Sequence, residues 1–246
     1  MKKILITGIS GSLGSAVAKK LLYQNYFIIG VSKNKKNYKK FLSKIQNKYK
    51  KNLDYIECNF NNNSSVDMLF KKLNNKHRNI NYFINCAGVI SRKNFLKEKI
   101  QDWEKILKIN TLVPMQISQH LLNRPKNKLS DLKFIFLGSQ MSRLNHPAAS
   151  PIYSVSKAAI QPLIRYCTSN YAKHGWTFNN VSPGTIKSRM QKNIKKTKFI
   201  KMIKNIPSKK IGEPEDVANL IAFLINEQSN YINGAIINLN GGSYLD

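Results

Sequence analysis

Lys3-Ile-Leu-Ile-Thr-Gly-Ile-Ser-Gly-Ser-Leu-Gly14 is the stretch that decides the fold of this 246-residue chain. Its first five residues form a β-branched, apolar run of the kind expected for a buried parallel strand. Gly8, Gly11 and Gly14 follow at once. Beyond them Leu13, Val17, Leu21 and Leu22 repeat on one helical face. A strand, a glycine-rich turn and a helix N-terminus in this order make a phosphate cradle. The glycines let the backbone turn sharply and approach a ligand, and the helix dipole faces its anionic oxygens. The loop residues expected against that ligand are Gly8, Ser10, Gly11, Ser12, Leu13 and Gly14.

Working outward, apolar runs alternate with helical patterns throughout, which predicts βαβ units and a parallel sheet with helices on both faces. A second strand is expected at Tyr26–Val31. It should end near an adenosine ribose, where an acid would bond a 2′-hydroxyl. Ser32, Lys33 and Asn34 stand there instead, which favours a 2′-phosphate and hence NADP(H), with NAD(H) as the alternative. Ile80–Asn85 reads as a fourth strand ending in Asn85-Cys-Ala-Gly88, whose small residues would let a cofactor lie across the strand end. A long helix is expected from about Gln101 to Asn123 and contains Asn110. Asp131–Leu137 reads as a strand that delivers Gly138-Ser139, and a helix carrying Tyr153 follows.

Tyr153 and Lys157 are spaced i, i+4, so in a helix both lie on one face. A neighbouring cation is expected to lower the phenol's pKa, and Ser139 at a strand end could donate to a bound carbonyl oxygen. Such a set suits reduction of a ketone or oxidation of an alcohol.

Composition sets the outer bounds. The length suits one α/β domain spanning 1–246. The chain has no apolar stretch of 18 or more residues, so no membrane span is expected. The apolar run after Met1-Lys-Lys is too short for a signal-peptide core. Cys58, Cys86 and Cys167 are scattered within expected elements, which points to small buried thiols in a reducing, cytoplasmic setting. No histidines show metal spacing, so no metal is expected. The net charge is +29, but 35 lysines stand against six arginines along most of the chain. Phosphate recognition favours arginine, so specific nucleic-acid binding is not expected. In the dense run Lys33–Lys51, Tyr38, Phe41, Leu42, Ile45 and Tyr49 mark a buried helix face, with the lysines in solvent.

Taken together, Thr7-Gly8…Gly11…Gly14, Asn85-Cys-Ala-Gly88, Asn110, Ser139, Tyr153 with Lys157, Ser182-Pro-Gly-Thr-Ile186, Gly212-Glu-Pro-Glu-Asp-Val-Ala218 and Asn240-Gly-Gly242 resemble the short-chain dehydrogenase/reductases. The resemblance runs from Met1 to the C-terminus and is to the single-domain branch that includes 3-oxoacyl-[acyl-carrier-protein] reductases. It implies a doubly wound, seven-stranded Rossmann-type parallel sheet. It implies that Tyr153 protonates a carbonyl oxygen as hydride arrives, that Lys157 lowers the Tyr153 pKa and bonds the nicotinamide ribose, and that Ser139 polarises the carbonyl. Asn110 would help hold a water on a proton relay toward Lys157. Ser142 stands as an alternative to Ser139, which is preferred because it directly follows the strand.

Pro183, Gly184, Ile186 and Ser188 would lie against the nicotinamide, and Asn59 would replace the aspartate that bonds the adenine. The segment 187–210 would be a lid over the substrate, with Met190, Ile194, Phe199, Met202 and Ile203 on its apolar side. Substrate choice is expected from that lid and from residues 89–100 and 140–152, which carry no readable code. The substrate is expected to be a small-molecule or carrier-bound carbonyl. A sugar or secondary-alcohol oxidoreductase is the second enzyme reading, and a non-catalytic cofactor-binding or RNA-associated protein the third. The resemblance also implies a homotetramer, or a homodimer, packed through the 101–123 and 153–173 helices and the C-terminal strand. Ala158, Ile160, Leu163, Ile164 and Tyr166 supply apolar surface compatible with a partner.

Overall fold

The computed structural model describes residues 1–124, 131–144, 150–188 and 196–245. Its first half runs β1 (Lys3–Thr7), α1 (Ser12–Tyr23), β2 (Phe27–Ser32), α2 (Lys35–Leu42), α3 (Asn47–Lys50), β3 (Leu53–Glu57), α4 (Asn63–Lys76) and β4 (Tyr82–Asn85). Then come α5 (Ile100–Leu107), a π-helical turn (Lys108–Leu112), α6 (Val113–Leu122), β5 (Lys133–Leu137), α7 (Pro151–Ala158) and α8 (Ile160–Tyr171). β6 (Thr177–Pro183), α9 (Lys196–Lys204), α10 (Pro214–Leu224) and β7 (Ile236–Leu239) complete the order.

The strands form one seven-stranded sheet in the order β3-β2-β1-β4-β5-β6-β7. Every pairing is parallel, with Thr7 opposite Val31 on one side and Asn85 on the other. This is the doubly wound Rossmann-type sheet. The winding reverses between β1 and β4, and open α/β sheets bind ligands beyond the carboxyl ends of the strands at such a switch point.

Helices bury both faces of the sheet, which is why its strands are apolar at nearly every position. One face packs Phe134, Phe136 and Phe178 beneath Leu69 and Leu73 of α4, Ile117 and Leu121 of α6, and Ile160 and Ile164 of α8. The other packs Ile4, Ile6, Ile28, Ile135 and Leu137 beneath Val17, Leu21 and Leu22 of α1 and Val217, Ile221 and Leu224 of α10.

Several expectations need adjusting. β2 starts and ends one residue later than expected, so Ser32 lies inside the strand. The expected 101–123 helix is interrupted by the π turn. The helix expected over Lys33–Lys51 breaks between α2 and α3, although Tyr38, Phe41 and Ile45 are buried as expected. Cys58 and Cys86 lie just past strand ends, and Cys86 is only half-buried; all three cysteines are unpaired. Ile160 and Ile164, offered as partner surface, instead face the chain's own core. Of the expected lid, 189–195 lies outside the described residues, as does 145–149 of the 140–152 loop. Among the described residues no helix is long and apolar enough to cross a membrane, and no cluster could hold a metal ion.

Around the glycine turn the close contacts are between backbones. Gly8 takes φ +68, and a Cβ there would stand 2.8 Å from the Ala87 nitrogen. At Gly14 a Cβ would overlap the Gly8 carbonyl oxygen. Neither neighbour is a side chain that can swing aside. Gly14→Ala is therefore expected to cost about 1–3 kcal/mol, because overpacking against backbone forces a shift. A fall in the urea midpoint with an unchanged m-value checks it.

Candidate active site

A cleft of about 340 Å³ opens over the carboxyl ends of β1, β2 and β4. Its floor is the glycine turn, Gly8 and Ser10–Leu13. Gly11 at the N-cap of α1 offers no side-chain acceptor to the first turn, and that turn holds no acidic residue. An anion therefore meets a helix N-terminus that no carboxylate competes for. Ser32, Lys33 and Asn59 line the end beyond β2 and β3, and Ala87, Gly88 and Ser188 line the opposite end. The glycine cradle and the polar far end fit a nicotinamide dinucleotide.

Not every expected contact faces the cleft. Asn85 is buried, and its Oδ1 accepts the Thr7 hydroxyl at 2.6 Å, so it tethers β1 to β4 instead. Thr7 Oγ1 in turn accepts the Ala87 N–H at 3.2 Å. Gly14 packs against Gly8, and Pro183 is buried in β6. Gly184 packs against Asn240, and Ile186 is buried in a bridge to Gly212. None of these five lines the cleft. Asn34, Cys86 and Val89 line it, as their places at the strand ends suggested, and Val31, Asn37, Cys58, Phe60 and Ile109 line it without having been expected there. Asn34 was legible in part: it caps α2, its Oδ1 accepting the Asn37 N–H at 2.8 Å. Ile109 had no such signal, because it arrives on the π turn.

The catalytic candidates meet behind the cleft. Tyr153 and Lys157 share α7 and are both buried, as is Ser139 just past β5. The Ser139 hydroxyl lies near enough to the Tyr153 phenol to lower its pKa. Ser142 turns elsewhere: its hydroxyl donates to the Ser139 carbonyl at 2.8 Å and accepts from Gln161 Nε2 at 3.1 Å. The Lys157 ammonium donates to the Leu137 carbonyl at 2.6 Å. A Cβ on Gly88 would lie 3.3 Å from Lys157 Nζ and 3.5 Å from Asn110 Oδ1, so these groups crowd the end of β4.

Asn110 does not present a free amide. Its Oδ1 accepts the Val89 N–H at 2.8 Å, while Nδ2 donates to the Val89 carbonyl at 2.9 Å and to Ser156 Oγ at 2.9 Å. Thr111 beside it donates to the Ser156 carbonyl at 2.9 Å. Adjacent residues both reach α7 because the π turn is wider than an α turn. The Asn110 side chain thus docks the β4 end onto α7.

The electrostatics also depart from expectation. Burial pushes the Tyr153 phenol above its ordinary value, and nearby Ser139 pulls it only part of the way back. The expected lowering by Lys157 is absent because that ammonium points at Leu137. A phenol held protonated at neutral pH is the form that can donate a proton. Lys157 is itself pushed down from 10.5 to about 8 by burial. The Cys86 thiol is pushed up to about 12 by burial and so stays uncharged.

The matches to known proteins are extensive. A family model described as Enoyl-(Acyl carrier protein) reductase matches residues 8–244. The 3-oxoacyl-[acyl-carrier-protein] reductase FabG of Buchnera aphidicola subsp. Schizaphis graminum is 31% identical, over 99% of this chain and 98% of its own. Its counterpart from Buchnera aphidicola subsp. Baizongia pistaciae is 30% identical, over 99% and 98%. A solved short-chain dehydrogenase/reductase from Serratia marcescens superposes with a TM-score of 0.86 at 19% identity, covering 98% of this chain and 97% of that one.

Burying Lys157 has a stability consequence. Its folded pKa of about 8 lies below the ordinary 10.5, so the folded state disfavours the charge. The penalty is full below pH 8 and fades as pH rises toward 10.5. At pH 7, Lys157→Met is thus expected to stabilise the fold by about 1–3 kcal/mol, with the gain shrinking at alkaline pH. Thermal midpoints of both proteins across that range check this.

Proposed function

Because the chain belongs to the short-chain dehydrogenase/reductase family and so is an oxidoreductase, we propose that it reduces a ketone to a secondary alcohol with NADPH. The favoured substrate is a 3-oxoacyl group on a carrier thioester. One observation carries the reading: Tyr153 and Lys157 share one helix and lie buried with Ser139 at the back of a nucleotide-shaped cleft. The bound nicotinamide supplies the hydride. Tyr153 then holds the proton that the carbonyl oxygen takes up, and Ser139 is the fixed donor for the negative charge that grows there. Lys157, its ammonium held by the Leu137 carbonyl, is assigned to the nicotinamide ribose, and Asn110 locks the β4 end and α7 together. Lys33 and Ser32 are the residues assigned to the 2′-phosphate. The carrier-thioester assignment is supported by the two Buchnera relatives, whose names specify that substrate and which this chain matches nearly end to end. Three unpaired cysteines support a cytoplasmic location.

The proposed assembly is a homotetramer packed through α5, α6, α7 and α8. Leu112, Val155 and Tyr166 support it, since each leaves more than half of its surface in solvent (53%, 54% and 60%) on the three last-named elements or the turn leading to them. Against a chain mass of 28.2 kDa, light scattering should give a fourfold particle. A twofold particle would favour the dimer, and a monomer would defeat both.

Activity is tested with a carbonyl panel containing acetoacetyl thioesters, sugar ketones and simple ketones, each with NADPH and NADH. Thioester reduction preferring NADPH is the expected result. A preference for NADH would overturn the roles of Ser32 and Lys33, and turnover confined to sugars or simple ketones would overturn the thioester. Tyr153→Phe should lower kcat by about 10²–10⁴-fold while NADPH still binds, since it removes only the proton donor. Normal turnover in that variant would refute the mechanism.

A further inference from the structure

The loop of residues 89–100 leaves the cleft at Val89 and folds back on the first turn of α5. Lys93 pairs with Asp102 at 2.6 Å, and the Phe95 ring lies 5.9 Å from Trp103. The Trp103 indole N–H donates to Glu98 Oε2 at 3.0 Å. The same oxygen accepts the hydroxyl of Ser150, a residue only 2% exposed. Glu98 Oε1 is buried and has no hydrogen-bond partner among the described residues.

Ser150 is the N-cap of α7. Its hydroxyl accepts the Ile152 N–H at 3.4 Å, and its carbonyl accepts the Tyr153 N–H at 3.1 Å. Its own N–H donates to the Ser91 carbonyl at 3.2 Å. Pro151 has no N–H, so Ile152 and Tyr153 supply the first donors of the helix. The 89–100 loop thus grips the first residue of the catalytic helix at two points, and Tyr153 is bonded directly to that residue.

We infer that Glu98 is a positioning residue for the proposed reduction: its carboxylate, held by Trp103, fixes Ser150 and through it the placement of the Tyr153 phenol. Two neutral donors converge on one carboxylate oxygen, so both bonds are charge-assisted. A carboxylate at the start of a helix is also favoured by the helix dipole. Such a clamp matters because proton transfer tolerates only about half an ångström of misplacement.

The inference rests on the reductase reading, and the test separates the two. Glu98→Ala, Ser150→Ala and the double variant are assayed for kcat, KM and NADPH affinity, and amide exchange is followed at 152–157. Each single variant should lose about tenfold in kcat with NADPH affinity unchanged, as expected for a displaced catalytic group. Their effects should not add, and exchange at Ile152 and Tyr153 should rise about tenfold while α10 keeps its protection. Glu98→Gln, which keeps one acceptor oxygen, should recover most of the loss, as should Ser150→Thr. Wild-type kcat in Glu98→Ala, or additive losses, would overturn the inference. So would unchanged exchange at 152–153, even if no carbonyl of the panel were reduced, an outcome that would sink only the reductase reading.

Discussion

Everything else in the molecule depends on a backbone-to-backbone contact where β1 turns into α1. The carbonyl of Gly8 lies so close to Gly14 that no side chain fits between them. On its other side, the Gly8 α-carbon presses against the peptide joining Cys86 to Ala87. The crossover helix, the first strand and the end of the fourth strand thus meet at one point without side chains as spacers. Cleft floor and sheet switch point coincide for this reason, and the polar tether from Thr7 to Asn85 and Ala87 holds them in register.

The sequence carries most of the fold openly because each strand between helical layers must be apolar on both faces. Val31, Ile84 and Phe136 look like strand residues because they can be little else. Helix interruptions are less legible. Lys108–Leu112 reads as uninterrupted helix, since a π turn changes hydrogen-bond pairing without changing composition. Among site residues, those tied to backbone geometry, such as Gly8 and Gly11, can be located from spacing alone. Side-chain direction cannot: Asn85 looks like a ligand contact yet points at Thr7, and Cys86 beside it faces the cleft. The Tyr153–Lys157 spacing places both residues correctly but misjudges their coupling, because the lysine finds the Leu137 carbonyl first.

The lysine excess turns out to be largely a property of the outer surface. α2 carries Lys35, Lys36, Lys39 and Lys40 outside while Tyr38 and Phe41 enter the core. Few acids are available to pair with them; contacts such as Lys93–Asp102 and Lys187–Glu213 are surface ion pairs, each worth about 0–1 kcal/mol. Among the described residues two lysines break the pattern. Lys133 is buried at the start of β5 and donates to the Asn226 carbonyl at 2.6 Å, pinning the turn before β7. Lys157 is the other, and its burial is tied to chemistry. An abundant residue type thus acquires a distinct role only where the fold removes it from water.

The π turn around Asn110 amounts to one residue more than a regular helix of that span requires. The register of the whole α5–α6 rod therefore shifts at this point. The residues before it are phased to the 89–100 loop, and those after it to the core beneath α6. Loss of a single residue between Lys108 and Leu112 would convert the turn to ordinary α-helix and rotate everything on one side by about 100°. Asn110 could then no longer grip Val89 and Ser156, or Ile117 and Leu121 would leave the sheet. In this stretch chain length itself is under constraint: substitutions are judged side chain by side chain, but a one-residue deletion forces a choice between site and core.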